Sequence, residues 1–184
     1  MTRPLTRRAA LAGTLAGTGG LLSGCGFHPL YAPSAGGGPG PAQAELAAVF
    51  VPVIPEHTGQ FLRQALQQRL EGAGTGVAKR YTLNAAYAIA SDALAIQPDT
   101  TSSRVRLIGT APWTLLTVGL TPQPLTTGQA RVVDGYNILD QQYFAAQVEN
   151  ETVTRRMAET LADQIVTQLA VYFRRQALKA AGQA

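Results

Sequence analysis

Residues 149–179 read ENETVTRRMAETLADQIVTQLAVYFRRQALK, and they predict one long helix with a single apolar stripe. Large apolar side chains recur along this stretch at intervals of four, four, four, four and three residues: Val153, Met157, Leu161, Ile165, Leu169 and Tyr172. This spacing keeps them on one helix face, which must be buried against another element. Arg174, Arg175 and Lys179 close the stretch, where positive charge opposes the negative end of the helix dipole.

Upstream of this helix the sequence predicts a first strand and a shorter helix. Residues 49–54 (VFVPVI) are apolar and rich in β-branched side chains, which is typical of a strand. Pro52 places this strand at a sheet edge or a bulge, because proline donates no backbone hydrogen bond. Thr58 is expected to cap a helix over residues 59–71, whose apolar side chains recur at helical spacing.

Three further strands are expected between the two helices. In residues 81–89 the apolar side chains recur at every second position, so they share one face of a strand. Leu94 and Ile96 fall on the opposite face, which predicts a bulge or bend near residues 91–92. Apolar side chains also recur at every second position in residues 104–118 and 129–143, which predicts two more strands. Both helices need an apolar partner, so we predict an α+β fold, a four-stranded, mostly antiparallel sheet with two helices packed on one face.

The N-terminus has the layout of an export signal. Arg3, Arg7 and Arg8 precede an apolar run over residues 9–22. This run is 14 residues long, short of the roughly 20 that a membrane-spanning helix needs. The paired arginines are compatible with either general or twin-arginine export. An ordinary secretory signal and an N-terminal membrane helix are the alternatives to a lipoprotein signal.

The end of this signal resembles the lipobox that the lipoprotein signal peptidase reads. It consists of residues 22–25 (LSGC), and Cys25 is the only cysteine of the chain, so it forms no internal disulfide. The resemblance implies that Cys25 receives a diacylglyceryl group, that the chain is cut before it, and that the new N-terminus is acylated. No cofactor is expected beyond these covalent diacylglycerol and N-acyl groups.

The resulting domain prediction has three parts. Residues 1–24 are a removed signal peptide, residues 25–45 a lipidated N-terminus with a Gly/Pro-rich tether, and residues 46–184 a single α+β domain. Two or more acyl chains would anchor the protein stably to a membrane. Gly26 follows the cysteine where some bacteria place an aspartate for inner-membrane retention, which favours the outer membrane.

The charge balance argues against nucleic acid as a partner. The whole chain has 15 Lys and Arg and 11 Asp and Glu, for a net charge of +4. Three arginines and no acids lie in the signal, which leaves 12 basic and 11 acidic residues, a net charge of +1. The mature chain therefore lacks the broad positive field that nucleic-acid binding requires.

The chain resembles the family of the LPS-assembly lipoprotein LptE. The resemblance rests on the start LSGCGFHPLY (22–31), on VPVI (51–54) followed by TGQFLR (58–63), on YNIL (136–139) followed by YFA (143–145), and on the closing helix from RRMA (155–158). It implies a plug of the β-barrel of the outer-membrane LPS translocon, lipid-anchored in the outer membrane and located on its periplasmic side or inside the barrel lumen. It also implies direct LPS binding. The expected partners are therefore this barrel protein, LPS and, through the lipid anchor, the membrane.

The sequence offers candidate residues for these partners. LPS carries phosphates, so arginine or lysine near an exposed strand or loop could bind it. The candidates are Lys79, Arg80, Arg104, Arg106 and Arg131. Arg104 and Arg106 would project from one sheet face, opposite Val105 and Leu107. A solvated outer sheet face is the plainer interpretation of each. Phe27, Leu30 and Tyr31 are candidates for docking to the partner or the membrane.

The sequence also bears on two other function classes. An enzyme finds little support, because His28 and His57 are the only histidines, no Gly-x-Ser-x-Gly motif is present, and Cys25 would be acylated. No metal site is expected. The main alternative is an auxiliary lipoprotein of a phospholipid-transporting ABC system, which would also be a lipid-anchored α+β domain.

Overall fold

The computed structural model describes residues 40–71, 76–96, 102–137 and 143–182. Its elements are, in chain order, α1 (Pro41–Ala47), β1 (Val49–Phe50), α2 (Glu56–Glu71), β2 (Tyr81–Ala85), β3 (Ala88–Ile96), β4 (Ser102–Thr117), β5 (Pro124–Asn137) and α3 (Tyr143–Ala180). The predicted α+β class is confirmed, since the helices share one apolar core with the inner face of a five-stranded sheet.

The central strand of this sheet is β4. β5 pairs antiparallel with one edge of β4, and β2 and β3 pair antiparallel with the other edge. Among the described strands, only β1 and β2 pair in parallel. The sheet is therefore mostly antiparallel, as predicted.

The sheet has five strands where the sequence predicts four, and Pro112 explains the difference. β2 and β3 continue in one register along β4. Between them, Ala86 donates its N–H to the Pro112 carbonyl at 3.1 Å, but Pro112 has no N–H to return a bond. One predicted strand is thus divided into two. The bend predicted near residues 91–92 lies slightly later, as register shifts between Ala93 and Ile96.

The long helix α3 buries the stripe that the sequence predicts. Met157, Leu161, Ile165 and Leu169 are 0% exposed, and Val153 is 3% exposed. The stripe covers the inner face of β4, whose buried side chains are Leu107, Ala111, Trp113 and Leu115. The sheet therefore obtains its cover mainly from α3, which follows all five described strands.

The helices begin earlier than the sequence predicts. α2 starts at Glu56, which has a positive φ of 67°, so the expected cap Thr58 lies inside the helix. The folded domain was expected to begin at Leu46, but α1 begins at Pro41 and buries Ala42 as well as Leu46. This helix falls partly within the expected tether. The signal peptide, Cys25 and the rest of the tether lie outside the described residues.

The outer edge of β5 is closed by side chains of α3. Arg131 donates its backbone N–H to Gln164 Oε1 at 3.2 Å, and Gln164 Nε2 donates to the Arg131 carbonyl at 3.2 Å. Gln168 Nε2 donates to the Gln129 carbonyl at 3.2 Å. The two amides thus occupy backbone groups to which a further strand would otherwise bind.

Candidate functional site

Two of the predicted basic residues lie at the start of β2. The Lys79 ammonium donates to the Ala47 carbonyl at 2.9 Å, and Arg80 Nη2 forms an ion pair with Glu45 Oε2 at 2.8 Å. The Tyr81 hydroxyl donates to the same Glu45 oxygen at 2.8 Å. The hydrogen bond to Glu45 raises the pKa of Arg80, and burial, followed by the bond to Glu45, raises that of Tyr81. The positive charge of Arg80 is therefore neutralised by the Glu45 carboxylate. The Lys79 ammonium binds only a neutral carbonyl, so its positive charge is not neutralised by this contact.

Arg106 and Arg131 project from the outer face of the sheet, away from the helices. Arg106 Nη2 forms an ion pair with Asp92 Oδ2 at 2.8 Å across the β3–β4 pair. Its Nε is buried and has no hydrogen-bond partner among the described residues. Arg131 is exposed on β5, opposite Thr110. The backbone of Arg104 pairs with both neighbouring strands, but its side chain is outside the described set.

The five candidates do not form one cluster. The Val118 N–H, at the far end of β4, donates to the Arg80 carbonyl at 3.0 Å, so Lys79 and Arg80 lie near residue 118. The strand from Arg106 to Val118 is about 40 Å long at about 3.3 Å per residue. A single phosphate-bearing headgroup therefore cannot contact both ends, and the sheet offers two separate places for an anion.

The outer face of the sheet has no helix over it among the described residues. Along β4 it alternates with the buried positions and carries Arg106, half-buried Ile108 and exposed Pro112. The neighbouring β5 contributes Arg131 and Val133, of which Val133 is 51% exposed. Because Arg106 and Asp92 neutralise each other, Arg131 carries most of the net charge of the described part of this face, and the rest of the face is partly apolar. Such a face suits contact with another macromolecule.

The structure also has an apolar groove, not predicted from the sequence, at the end of the sheet where β2 begins. It is an open groove of about 680 Å³ that includes Tyr172, Phe173 and Ala177 of α3, Leu125 of β5 and Glu45 of α1. The aromatic pair at the end of the α3 stripe was the one available signal. The groove could not be inferred without α1, which supplies its opposite wall.

The described residues contain little that resembles a catalytic centre. His57 is exposed and forms a T-shaped pair with the Phe61 ring, with 4.7 Å between the ring centroids. In the described ranges, no three His, Cys, Asp or Glu side chains are placed to hold a metal ion. Of the docking candidates, Phe27, Leu30 and Tyr31 lie outside the described residues, as does His28.

Known structures with a similar fold are bacterial lipoproteins. A lipoprotein of Caulobacter crescentus CB15 is 19% identical, with a TM-score of 0.58 over 72% of this chain and 96% of its own. Rare lipoprotein B of Shewanella oneidensis is 16% identical, with a TM-score of 0.52 over 70% of this chain and 98% of its own. These likenesses establish the fold. A comparison with curated protein sequences gives no match.

The family comparison is more specific than the fold. The model of the LptE family, described as lipopolysaccharide-assembly, matches residues 46–169, which run from the end of α1 to the buried Leu169 of α3. This family has no known cofactor. No helix in the described ranges has an apolar stretch long enough to cross a bilayer. The match covers more than half of the chain, and the protein therefore belongs to the LptE family of lipopolysaccharide-assembly lipoproteins.

Proposed function

We propose that the protein is a non-enzymatic outer-membrane lipoprotein, acylated at Cys25, that plugs and helps assemble the β-barrel of the LPS translocon. In this role it assists delivery of LPS to the outer leaflet. The family match over residues 46–169 is the observation that carries the proposal. The lipobox at residues 22–25 supports the anchor, and Gly26 after it favours the outer membrane.

The outer face of the sheet is the part of the fold that best suits contact with a barrel. A plug must meet the barrel wall over a broad surface that another macromolecule can cover. The outer face offers half-buried Ile108 and exposed Val133 beside a neutralised ion pair, so covering it would leave few charges without a partner. The helix side of the sheet is already occupied by the core.

The first test is a pull-down of the tagged mature lipoprotein from detergent-solubilised envelopes, with mass spectrometry of its partners. We expect a large outer-membrane β-barrel in near-stoichiometric amount. An ABC permease or substrate-binding protein without a barrel would instead favour the phospholipid-transport alternative. Recovery of neither would contradict both proposals.

A matched pair of variants tests the sheet face. Val133→Glu places a charge on the outer face, whereas Val148→Glu places one on α3 at nearly the same exposure, 51% against 53%. We expect Val133→Glu to reduce barrel recovery at least tenfold and Val148→Glu to leave it unchanged. Equal recovery with both folded variants would remove the sheet face from the interface.

The two anion sites are compared by direct LPS binding. Reversing Arg104 and Arg106 together changes the sheet face, and Lys79→Glu changes the distant start of β2. Loss of binding in the first variant assigns the LPS phosphates to the sheet face, and loss in the second assigns them to Lys79. Unchanged binding by both folded variants would contradict a phosphate-binding role for these residues.

A further inference from the structure

One end of the molecule gathers large apolar side chains that nothing in the described structure covers. This end, here called the loop end, comprises the β4–β5 turn (118–123), residues 76–80 before β2, and the last turns of α3. Leu120 is 107% exposed at the tip of the turn, and Val118 beside it is 56% exposed. Val77 is 40% exposed a few residues before Arg80, whose carbonyl accepts the Val118 N–H. A clustered apolar surface of this kind marks a place of contact.

The geometry of the turn makes Leu120 protrude. Thr117 donates its backbone N–H to the Gln123 carbonyl at 3.0 Å, and Gln123 donates its N–H to Thr117 Oγ1 at 3.0 Å. These two bonds close the hairpin at its base, so the residues between them extend beyond the sheet. Leu120 is therefore held out on a pinned turn and not buried in the core.

Basic side chains lie on the two elements beside this apolar tip. Lys79 and Arg80 lie on the strand beside the turn, and Arg175 and Lys179 are exposed near the end of α3. Ala177 and Ala180 of the same helix segment line the groove with Leu125, which places these turns of α3 beside β5. The nearby acids are Glu45, paired with Arg80, and Glu71, which lines a small cleft with Lys79. Basic groups therefore outnumber acidic ones at the loop end.

The chain also enters the domain at the loop end. Gly40 caps α1, and Ala44 and Glu45 of α1 line the same groove as Leu125 and Ala180. Cys25 lies fifteen residues before Gly40, a distance of about 50 Å at full extension. An acyl anchor at Cys25 would therefore tether the domain to a membrane through its loop end. This step rests on the lipidation proposed above, whereas the apolar and charge arguments stand without it.

We propose that the loop end is a membrane-binding surface for an anionic phospholipid bilayer. Leu120 and Val118 enter the boundary between headgroups and acyl chains, and Lys79, Arg175 and Lys179 meet the lipid phosphates. Apolar side chains at the tip with lysine and arginine around them form the pattern by which peripheral proteins lie on anionic bilayers. The surface would fix the orientation of the domain relative to its anchor.

The test uses flotation of the chain from Gly26 onward, which keeps the described fold and carries no cysteine to acylate. Vesicles contain phosphatidylcholine with phosphatidylglycerol, phosphatidylcholine alone, or phosphatidylcholine with LPS. We expect binding to the phosphatidylglycerol vesicles, weakening with added salt, and little binding to phosphatidylcholine. Absence of binding to phosphatidylglycerol vesicles, or binding to the LPS vesicles alone, would overturn the proposal.

Two exposed positions provide a matched comparison. Leu120→Asp removes the apolar tip, and Val148→Asp makes a like change on α3 at a position about 43 Å along the helix from Ala177. We expect Leu120→Asp to lower vesicle binding roughly tenfold or more, because burying a leucine contributes strongly to partitioning, and Val148→Asp to leave it unchanged. Equal binding by Leu120→Asp and the parent would overturn the proposal. Barrel recovery in the pull-down reports separately on the proposed function.

Discussion

Replacing Gly128 by alanine should disturb the one tryptophan of the chain. Gly128 of β5 pairs with Trp113 of β4, and a Cβ at residue 128 would lie 2.5 Å from Trp113 Cζ2 and 2.7 Å from its Cε2. The indole cannot simply turn away, because it is 5% exposed and its Nε1 donates to Gln168 Oε1 at 3.0 Å. The added methyl must therefore displace the ring, the Gln168 amide or the β5 backbone.

The size of the effect follows from these contacts. Overpacking of a dense core costs about 1–3 kcal/mol, and loss of the Trp113–Gln168 hydrogen bond costs about 1 kcal/mol more. The lower backbone entropy of alanine in the unfolded chain offsets about 0.5–1 kcal/mol of this. We expect Gly128→Ala to reduce the free energy of unfolding by about 2–3 kcal/mol, which corresponds to a fall in Tm of about 4–12 °C.

Urea unfolding followed by tryptophan fluorescence measures this directly, since Trp113 is the only tryptophan in the sequence. The emission spectrum of the folded variant should also shift, because the ring changes its surroundings. Gly119→Ala is the matched control, since a Cβ there meets nothing within 4 Å. An unchanged unfolding midpoint and unchanged emission for Gly128→Ala would refute the reasoning.

Two further predictions concern a buried hydroxyl and the β5 edge. Burial raises the pKa of Tyr87 to about 12 from 10.0, so the stability it contributes is complete below pH 10 and is lost as the pH rises through 12. Tyr87→Phe should therefore flatten the decline of stability between pH 10 and 12, and an unchanged decline would show that other groups cause it. Gln164→Leu removes both hydrogen bonds between this side chain and the Arg131 backbone, so it should lower the free energy of unfolding by about 1 kcal/mol. It should also expose the β5 edge and promote self-association, measured by sedimentation velocity. Gln68→Leu, exposed on α2, should remain monomeric, and equal behaviour of the two variants would contradict the edge-capping role.

The elements with strong local patterns were predictable from the sequence. The α3 stripe keeps its spacing over many turns, so the buried face at Leu161 and Leu169 follows from helix geometry alone. Alternation along β4 likewise predicts that Arg106 faces away from Leu107. The α+β class follows because such a helix requires a sheet with one apolar face.

Other features depend on contacts between distant residues and could not be predicted. α1 has seven residues, which is too short for local helix propensity to stabilise, and it is held instead by burial of Ala42 and Leu46. The division of β2 from β3 requires knowing that Pro112 lies opposite Ala86. In both cases the decisive partner lies elsewhere in the sequence.

The candidate site was predictable only in part, for the same reason. The sequence shows that Lys79 and Arg106 are basic, but whether their charges can bind a ligand depends on whether an acidic side chain already pairs with them. Arg106 is balanced by Asp92 and Arg80 by Glu45, through registers that no local pattern reveals. Lys79 and Arg131 therefore have more charge to offer a ligand than the other described candidates, a distinction that the sequence did not make.

The position of α3 in the chain determines when the domain can form. This helix follows all five described strands, and its buried side chains from Ala158 to Phe173 belong to the same core as the inner face of the sheet. A ribosome that has finished β5 has produced a sheet whose apolar face is covered only in part, by α1 and α2. Completion of the core therefore waits until α3 has also left the ribosome, and until then the inner face of the sheet can bind other apolar surfaces.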